Sequence, residues 1–377
     1  MCVVTWQLQP DSGWGRYSLG LVRGLRERGV SVRVLTERRS CPPSGFEGTP
    51  IVPCLTTPLA PLDRPLAIGW NLAQVVGRAR GSELVHFFVE PYALAASLAI
   101  PWPYLVTVHG TYGVAPLRGN RVTRTLFARA LRRASSVVCV SRFTRARVAE
   151  AVPLENLQVV NNGFEPPAAG IGCSLATPLP SQHSGVPTDG PVLLGVGALK
   201  PRKGYHVAVE ALERVRVRYP NVHYFVVGDD QDRRYVEELR GLTARLGLEG
   251  NVTITGQIGD AELDRLYRRC DVFVLPPVNS GSAFEGFGLT YLEANAYGKP
   301  VVGSRDCGAE DAIEDGVNGL LAPQNDPAAV AQRILRLLDD PEAAREMGER
   351  GRTLALARDW SRVVDEYLTL YEQALGR

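Results

Sequence analysis

Residues 276–300 read PPVNSGSAFEGFGLTYLEANAYGKP, and this stretch turns a strand into a helix. The run Asp271-Val272-Phe273-Val274-Leu275 before it is apolar, β-branched and aromatic, which predicts a short strand ended by two prolines that cannot continue a ladder. An Asn-Ser-Gly-Ser loop follows, then Glu285 and Gly286-Phe287-Gly288, with a helix expected from Leu289. Glycines let the backbone come close to a bound group, and the N–H groups at Gly286–Leu289, at the positive end of the helix dipole, favour an anion such as a phosphate. Glu293 falls one turn into the helix, so it and Glu285 can line one pocket. A Gly-rich strand-to-helix turn also serves purely structural ends in α/β proteins, and the turn alone leaves that reading open.

The same alternation extends outward. Ahead of the stretch come strand Val192–Gly197, helix His206–Arg218, strand His223–Val227, helix Arg233–Leu246, strand Val252–Thr255 and helix Ala261–Arg269. Repeated strand–helix units predict a parallel sheet with helices on both faces. The first half repeats the pattern: an opening strand from Met1, helix Ser18–Arg28, strand Val30–Thr36, helix Ile68–Ala79, strands Leu84–Phe88 and Tyr104–Val108, strand Ser136–Val140, helix Ser141–Ala151 and a last strand from Leu157. The Pro-rich segment Cys41–Pro65 reads as an irregular excursion. Glu165–Gly190 has no periodicity and reads as linker material. The expected organisation is a domain over 1–172, a linker over 173–190 and a second domain over 191–359. A helix with an Asp326 cap and Pro327 in its first turn follows the second sheet. Trp360, Val363, Val364, Tyr367, Leu368, Tyr371 and Leu375 share one face of a last helix over 360–377.

Bulk properties narrow the function. The 377 residues suit two domains of ordinary size, and 45% hydrophobic with 22% charged residues excludes a disordered or fibrous chain. Apolar runs are broken too soon for a membrane span, and the first residues have neither the basic region nor the cleavage site of a signal peptide. Seven cysteines without a C-x-x-C pair point to reduced thiols in a cytoplasmic protein rather than to disulfides or zinc. Residues 1–172 hold 19 Arg, no Lys and 10 Asp plus Glu, a balance of +9 beneath a net charge of only +2. Such a field predicts an anionic acceptor or an anionic membrane surface.

Individual residues sharpen this. Gly13, Gly15 and Arg16 lie between the first strand and its helix, where a phosphate-accommodating loop and an ordinary tight turn are both consistent with the glycines. His109 ends a strand, the position at which α/β sheets bind ligands, whereas His86 lies within a strand and reads as packed core. Gly197-Ala198-Leu199-Lys200-Pro201-Arg202-Lys203-Gly204 follows another strand; Lys203 offers a point charge and Arg202 a bidentate fork for a diphosphate, solvation being the alternative for both. Residues 118–133 carry six arginines and no acid, reading either as a core helix with a solvated basic side or as an interfacial helix on anionic lipid at the inner face of the membrane.

Taken together, Glu285-Gly286-Phe287-Gly288-Leu289, Leu292-Glu293-Ala294, Ala296, Gly298 and Pro300-Val301-Val302 resemble the E-x7-E signature of retaining family-4 glycosyltransferases (glycosyl transferases group 1) of the GT-B fold. The resemblance runs over nearly the whole chain and is strongest from Val192 to Pro323. It implies an α/β protein of two Rossmann-like parallel-sheet domains facing across a cleft, the first binding the acceptor, the second the nucleotide-sugar donor, and the C-terminal helix crossing back to the N-terminal domain. It implies a catalytic role for Glu285, accepting from a donor-sugar hydroxyl, and for His109, contacting that sugar from the opposite wall. Glu293 would accept from the ribose hydroxyls, Lys203 with Gly197, Arg202 and the N–H groups near Gly286–Leu289 would hold the diphosphate, and the segment around Ile258 would meet the base. Gly13, Gly15 and Arg16 match the family's glycine loop. The chain departs from the family at Ala198, where arginine is common; either Lys200 or Arg202 is available as its substitute.

The expectation is therefore a retaining glycosyltransferase moving a sugar from a nucleoside diphosphate-sugar to a glycan, lipid-linked or small-molecule acceptor, an anionic or lipid-linked one suiting the basic first half, with no nucleic-acid partner. No D-x-D triplet or His/Cys cluster calls for a metal or other cofactor, and front-face attack suits the absence of an obvious nucleophile. A nucleotide-sugar epimerase on the same fold and a non-catalytic nucleotide-sugar-binding protein are the rival readings.

Overall fold

The computed structural model describes residues 1–9, 12–41, 43–98, 100–165 and 189–377. The chain divides into two compact units, one of Met1–Glu165 with Arg358–Arg377, the other of Pro166–Ala357. The linker expected over 173–190 lies outside the described residues except for Asp189 and Gly190.

In unit 1, β1 (Cys2–Val4), β2 (Arg33–Glu37), β3 (Ile51–Leu55), β4 (Val85–Phe87), β5 (Tyr104–Val108), β6 (Ser136–Cys139) and β7 (Leu157–Val159) form one sheet in the order β3-β2-β1-β4-β5-β6-β7. Every pairing is parallel, as in Val3 opposite His86. β1 has β2 on one side and β4 on the other, so the crossovers run in opposite directions from it. The crevice beyond the carboxyl ends of β1 and β4 is where such sheets bind ligands.

Unit 2 repeats the arrangement with β8 (Val192–Val196), β9 (His223–Val227), β10 (Val252–Gly256), β11 (Val272–Val274), β12 (Val301–Ser304) and β13 (Gly319–Ala322), ordered β10-β9-β8-β11-β12-β13 and all parallel. Its point of reversal lies between β8 and β11. Lys203 follows the first of these strands and Glu285 the second.

The helix Trp360–Leu375 belongs to unit 1, starting from an Asp359 cap whose side chain accepts from the Arg362 amide. Its Val363, Val364, Tyr367 and Tyr371 are buried with Tyr17, Leu21 and Leu25 of the helix Gly13–Glu27. Polar groups are satisfied inside this core: Tyr17 donates its hydroxyl to Tyr367 at 2.7 Å, and His86 bonds to the Tyr371 hydroxyl at 2.8 Å and to Thr107 at 2.9 Å. His86 is thus the packed core residue that its place within a strand predicts.

Three local expectations change. The excursion Cys41–Pro65 contains β3 and a short helix, Ala60–Asp63. β3 tolerates Pro53 because it is an edge strand, where a missing N–H costs no ladder bond. The first helix begins at Gly13, not Ser18, because the Ser12 hydroxyl caps it by accepting from the Gly15 amide at 3.0 Å. Residues 341–356, given no element by the sequence reading, form the helix Pro341–Leu356, which an Asp340 cap and Pro341 in its first turn start cleanly.

Candidate active site

The predicted residues fall into two groups, one in each unit. In unit 2 the turn after β8 continues through Pro201–Lys203 to Gly204, whose φ of 71° is left-handed. A Cβ on Gly204 would run into the Pro276 carbonyl oxygen at the end of β11, so only glycine lets the two strand ends close on each other. That closure brings the Lys203 ammonium within 2.6 Å of the Glu285 carboxylate and the Arg202 guanidinium within 3.1 Å of the same oxygen. Both Lys203 and Glu285 are buried, at 8% and 7% exposure. Burial pushes the Glu285 carboxyl up, but the charges of Lys203 and Arg202 outweigh it and hold the group below the ordinary carboxylate range. Burial likewise draws the Lys203 ammonium down, against the opposing pull of Glu285.

Of the two basic residues that follow Ala198 most closely, Lys200 and Arg202, one joins this cluster. Arg202 reaches Glu285, while Lys200 is exposed. Gly197, with a φ of 151°, sits beside the Lys203 side chain, and its carbonyl accepts from the Tyr205 hydroxyl at 2.8 Å. Beyond Glu285 the backbone is pinned, since the Gly308 amide donates to the Glu285 carbonyl at 2.8 Å. Phe287 is buried, so a ligand can meet only its backbone. Gly288 is left-handed at φ 91° and starts the helix Leu289–Ala296. Glu293, in that helix, accepts from the Tyr267 hydroxyl at 2.8 Å. Ile258 follows β10 and is half-buried, on the far side of β9 from the cluster.

In unit 1, Gly13, Gly15 and Arg16 lie in the first turn of the helix after β1. His109, half-buried after β5, is gripped at two points: its amide donates to Glu90 at 3.1 Å, and its ring Nε2 lies 2.8 Å from the Phe88 carbonyl. A carbonyl only accepts, so Nε2 carries the proton and Nδ1 remains an acceptor. Burial lowers the imidazole to about 4, which keeps His109 neutral near pH 7. Its ring meets the edge of Tyr17 at 4.5 Å between centroids.

Glu90 and Trp14 escaped the sequence reading. Glu90 is fully buried beyond β4 and accepts from the Trp14 indole at 3.2 Å, as well as from the His109 amide. Burial pushes its carboxyl up to about 8 against the pull of those donors. A signal existed: Glu90 is the only Asp, Glu, Lys or Arg between residues 84 and 117, and it follows a strand.

The basic segment folds as the helix Arg121–Arg133, burying Phe127, Ala128, Ala130 and Leu131. Arg121, Arg124, Arg129, Arg132 and Arg133 are exposed and form no ion pair among the described residues, while Val122 is 68% exposed between them. No group of three or more His, Cys, Asp or Glu among the described residues is placed to hold a metal ion, and none of their helices is long and apolar enough to cross a membrane. Six of the cysteines are free thiols.

The sequence model for "Glycosyl transferases group 1" matches residues 180–354, and that for "Glycosyltransferase Family 4" matches residues 12–166. A GDP-mannose-dependent α-(1-6)-phosphatidylinositol monomannoside mannosyltransferase of Mycolicibacterium smegmatis is 32% identical over 70% of this chain and 71% of its own. The lipopolysaccharide core biosynthesis glycosyltransferase LpsE of Rhizobium meliloti is 27% identical over 98% of both chains. Among solved structures, Anabaena HepE in complex with UDP and glucose superposes with a TM-score of 0.76 at 23% identity over 98% of both chains, and the lipopolysaccharide glycosyltransferase WaaG with a TM-score of 0.72 at 18% identity over 97% of this chain and 98% of its own. Two parallel α/β sheets, a buried E-x7-E turn and these matches in both halves make the chain a member of the family-4 glycosyltransferases of the GT-B fold.

Proposed function

We propose that the protein transfers a hexosyl group, with retention of configuration, from a nucleoside diphosphate-sugar to an anionic, lipid-linked acceptor. The observation that carries the reading is the buried Lys203–Glu285–Arg202 cluster at the point where the second sheet reverses. Lys203 has three N–H donors and Arg202 five, so both can keep Glu285 and still turn donors to a diphosphate. Glu285, held ionised by them, accepts from a hydroxyl of the donor sugar, and the half-helix beginning at Leu289 offers its N–H groups to the phosphate.

In the transfer itself the bond from the anomeric carbon to the β-phosphate oxygen breaks with its electron pair going to the diphosphate. The acceptor hydroxyl oxygen forms a new bond to that carbon on the same face and passes its proton to the departing phosphate oxygen. The charge that develops on the leaving group is met by Lys203 and Arg202 in a low-dielectric setting, where fixed charges act most strongly. Neutral His109, a fixed acceptor at Nδ1, orients the donor sugar. These roles need no added metal.

The mannosyltransferase relative acts on a phosphatidylinositol mannoside with GDP-mannose, which supports GDP-mannose as the first donor to try and an inositol phospholipid as the first acceptor. UDP-glucose, bound by HepE, is the second donor. The unpaired arginines of the helix Arg121–Arg133 support docking on anionic lipid.

The test is to incubate the protein with each donor and vesicles containing phosphatidylinositol, with and without EDTA, and to read the anomeric configuration of the product by NMR. The reading predicts an α-linked product from an α-linked donor with EDTA making no difference. Inversion or an EDTA requirement overturns the mechanism; interconversion of the sugar without an acceptor favours an epimerase; tight nucleotide binding with no turnover favours a non-catalytic binder.

A further inference from the structure

Two stretches of unit 1 were singled out on sequence grounds alone, the Gly13–Arg16 turn and the His109 strand end, 96 residues apart at Gly13 and His109. The fold joins them through one carboxyl group. Glu90 Oε2 accepts from the Trp14 indole at 3.2 Å and Oε1 from the His109 amide at 3.1 Å, and the Gly110 amide also turns toward the group. Trp14 follows β1, Glu90 follows β4, and these are the neighbouring strands between which the first sheet reverses. The place is topologically the same as that of Lys203 and Glu285 in the second sheet. Here, however, among the described residues, no cation touches the buried carboxyl; every partner given for it is a neutral N–H.

A fully buried carboxyl is costly to keep, and its hydrogen bonds to Trp14 and His109 offset part of that cost. What it does provide is position. By taking up the indole N–H it fixes Trp14 between Trp6, at 6.0 Å and edge-on, and Tyr112, at 5.1 Å, so that three half-buried aromatic rings stand beside the His109 turn. By taking the His109 amide it sets the backbone from which the imidazole projects, and the Phe88 carbonyl then sets the ring.

We infer that Glu90 is a positioning residue for the sugar-facing wall of unit 1, holding Trp14 and the His109–Gly110 turn in one fixed arrangement for the reacting sugar. The inference rests on the proposed role of His109. Glu90 itself touches no substrate. A glutamine in its place keeps the size, but its amide nitrogen cannot accept where either carboxyl oxygen, protonated or not, can, so either Trp14 or the His109 turn is released. Diphosphate binding belongs to unit 2 and is untouched.

The experiment compares full-length wild type, Glu90→Gln, Glu90→Asp, Trp14→Phe and His109→Ala for release of GDP from GDP-mannose and of UDP from UDP-glucose, in the presence of phosphatidylinositol vesicles. Calorimetric affinity for GDP and UDP and hydrogen exchange at the His109 and Gly110 amides are measured in parallel. Glu90→Gln is expected to lower kcat about 10- to 100-fold, the scale of a misplacement on the order of 1 Å, with diphosphate affinity within about twofold of wild type and faster exchange at one or both amides. Glu90→Asp, which keeps both acceptors, recovers part of the loss. Turnover of Glu90→Gln within about twofold of wild type, while His109→Ala is strongly impaired, overturns the inference alone. An unimpaired His109→Ala, or a wild type that releases neither diphosphate, overturns the underlying reading as well. If Glu90→Gln does not fold, Glu90→Asp and Trp14→Phe decide: unchanged kcat in both overturns it.

Discussion

The Lys203 ammonium and the Glu285 carboxylate stand 2.6 Å apart, both buried, on turns that leave two neighbouring strands of the second sheet. Taking both charges out of water is costly, and the pair survives because Arg202 adds a second cation on the same oxygen. Removing either partner strands the other. Lys203→Met and Glu285→Gln are each expected to destabilise unit 2 by about 3–5 kcal/mol. The double variant should lose less than the sum of the two, which a double-mutant cycle by urea unfolding would read. Lys203→Met should also lose diphosphate binding, whereas Glu285→Gln should retain it and lose transfer.

Gly204 and Gly288 are both left-handed, in the two turns that carry the candidate site of unit 2. A Cβ on Gly204 meets the Pro276 carbonyl, and one on Gly288 meets the Tyr291 ring. Gly204→Ala moves backbone against backbone and should cost more than Gly288→Ala, where a side chain can shift. Both should lower the melting temperature, and Gly204→Ala should abolish the stabilisation that saturating GDP or UDP gives the wild type. Equal melting temperatures for Gly204→Ala and the wild type would contradict this account.

Tyr267 aims Glu293 by donating its hydroxyl at 2.8 Å, and its ring stacks on Tyr297 at 5.1 Å. Tyr267→Phe keeps the stack and drops the hydrogen bond. About 0.5–1.5 kcal/mol of stability should be lost with it. If Glu293 holds the ribose, affinity for the nucleoside diphosphate should fall several-fold while the affinity for inorganic pyrophosphate stays constant. Titration calorimetry with both ligands separates the two.

His109 and Glu90 titrate in opposite senses because burial favours the neutral form of each. The folded histidine is lowered to about 4, so below pH 6.5 the unfolded chain binds a proton that the folded one refuses; its contribution is full above 6.5 and is lost as pH falls toward 4. Glu90 is raised to about 8, so its contribution is full below 4.5 and is lost as pH rises to 8. Each costs up to about 1.4 kcal/mol per pH unit within its window. His109→Gln should flatten the acid side of the stability profile, and Glu90→Gln should gain on the wild type steadily between pH 5 and 8. Chemical unfolding followed across that range checks both slopes, and parallel profiles for Glu90→Gln and wild type would show that the carboxyl does not carry the raised value.

Much of the fold and the chemistry of the candidate site were legible in the linear sequence. Strand runs such as His223–Val227 and Tyr104–Val108 appear in the structure with the limits their apolar, β-branched composition predicts, because a parallel strand buried on both faces must be continuous in such residues. The Asp326 cap, the E-x7-E turn and the family itself were equally readable, since each depends on residues near one another in the chain. Other features were not. β3 was hidden by Pro53, whose tolerance depends on the strand lying at a sheet edge, a fact of topology. The choice of Arg202 over Lys200 as the partner of Glu285 was decided by the turn at Gly204 closing on Pro276, 72 residues away. Glu90 showed only as a lone charge in an apolar stretch. Its partners Trp14 and His109 come from distant parts of the sequence and meet only because the sheet places β1 beside β4. Local sequence therefore determined which elements form and what chemistry they carry, while the tertiary structure decided which carboxylate faces which donor, because hydrogen bonds and ion pairs act over about 3 Å and only the order of strands brings those atoms that close.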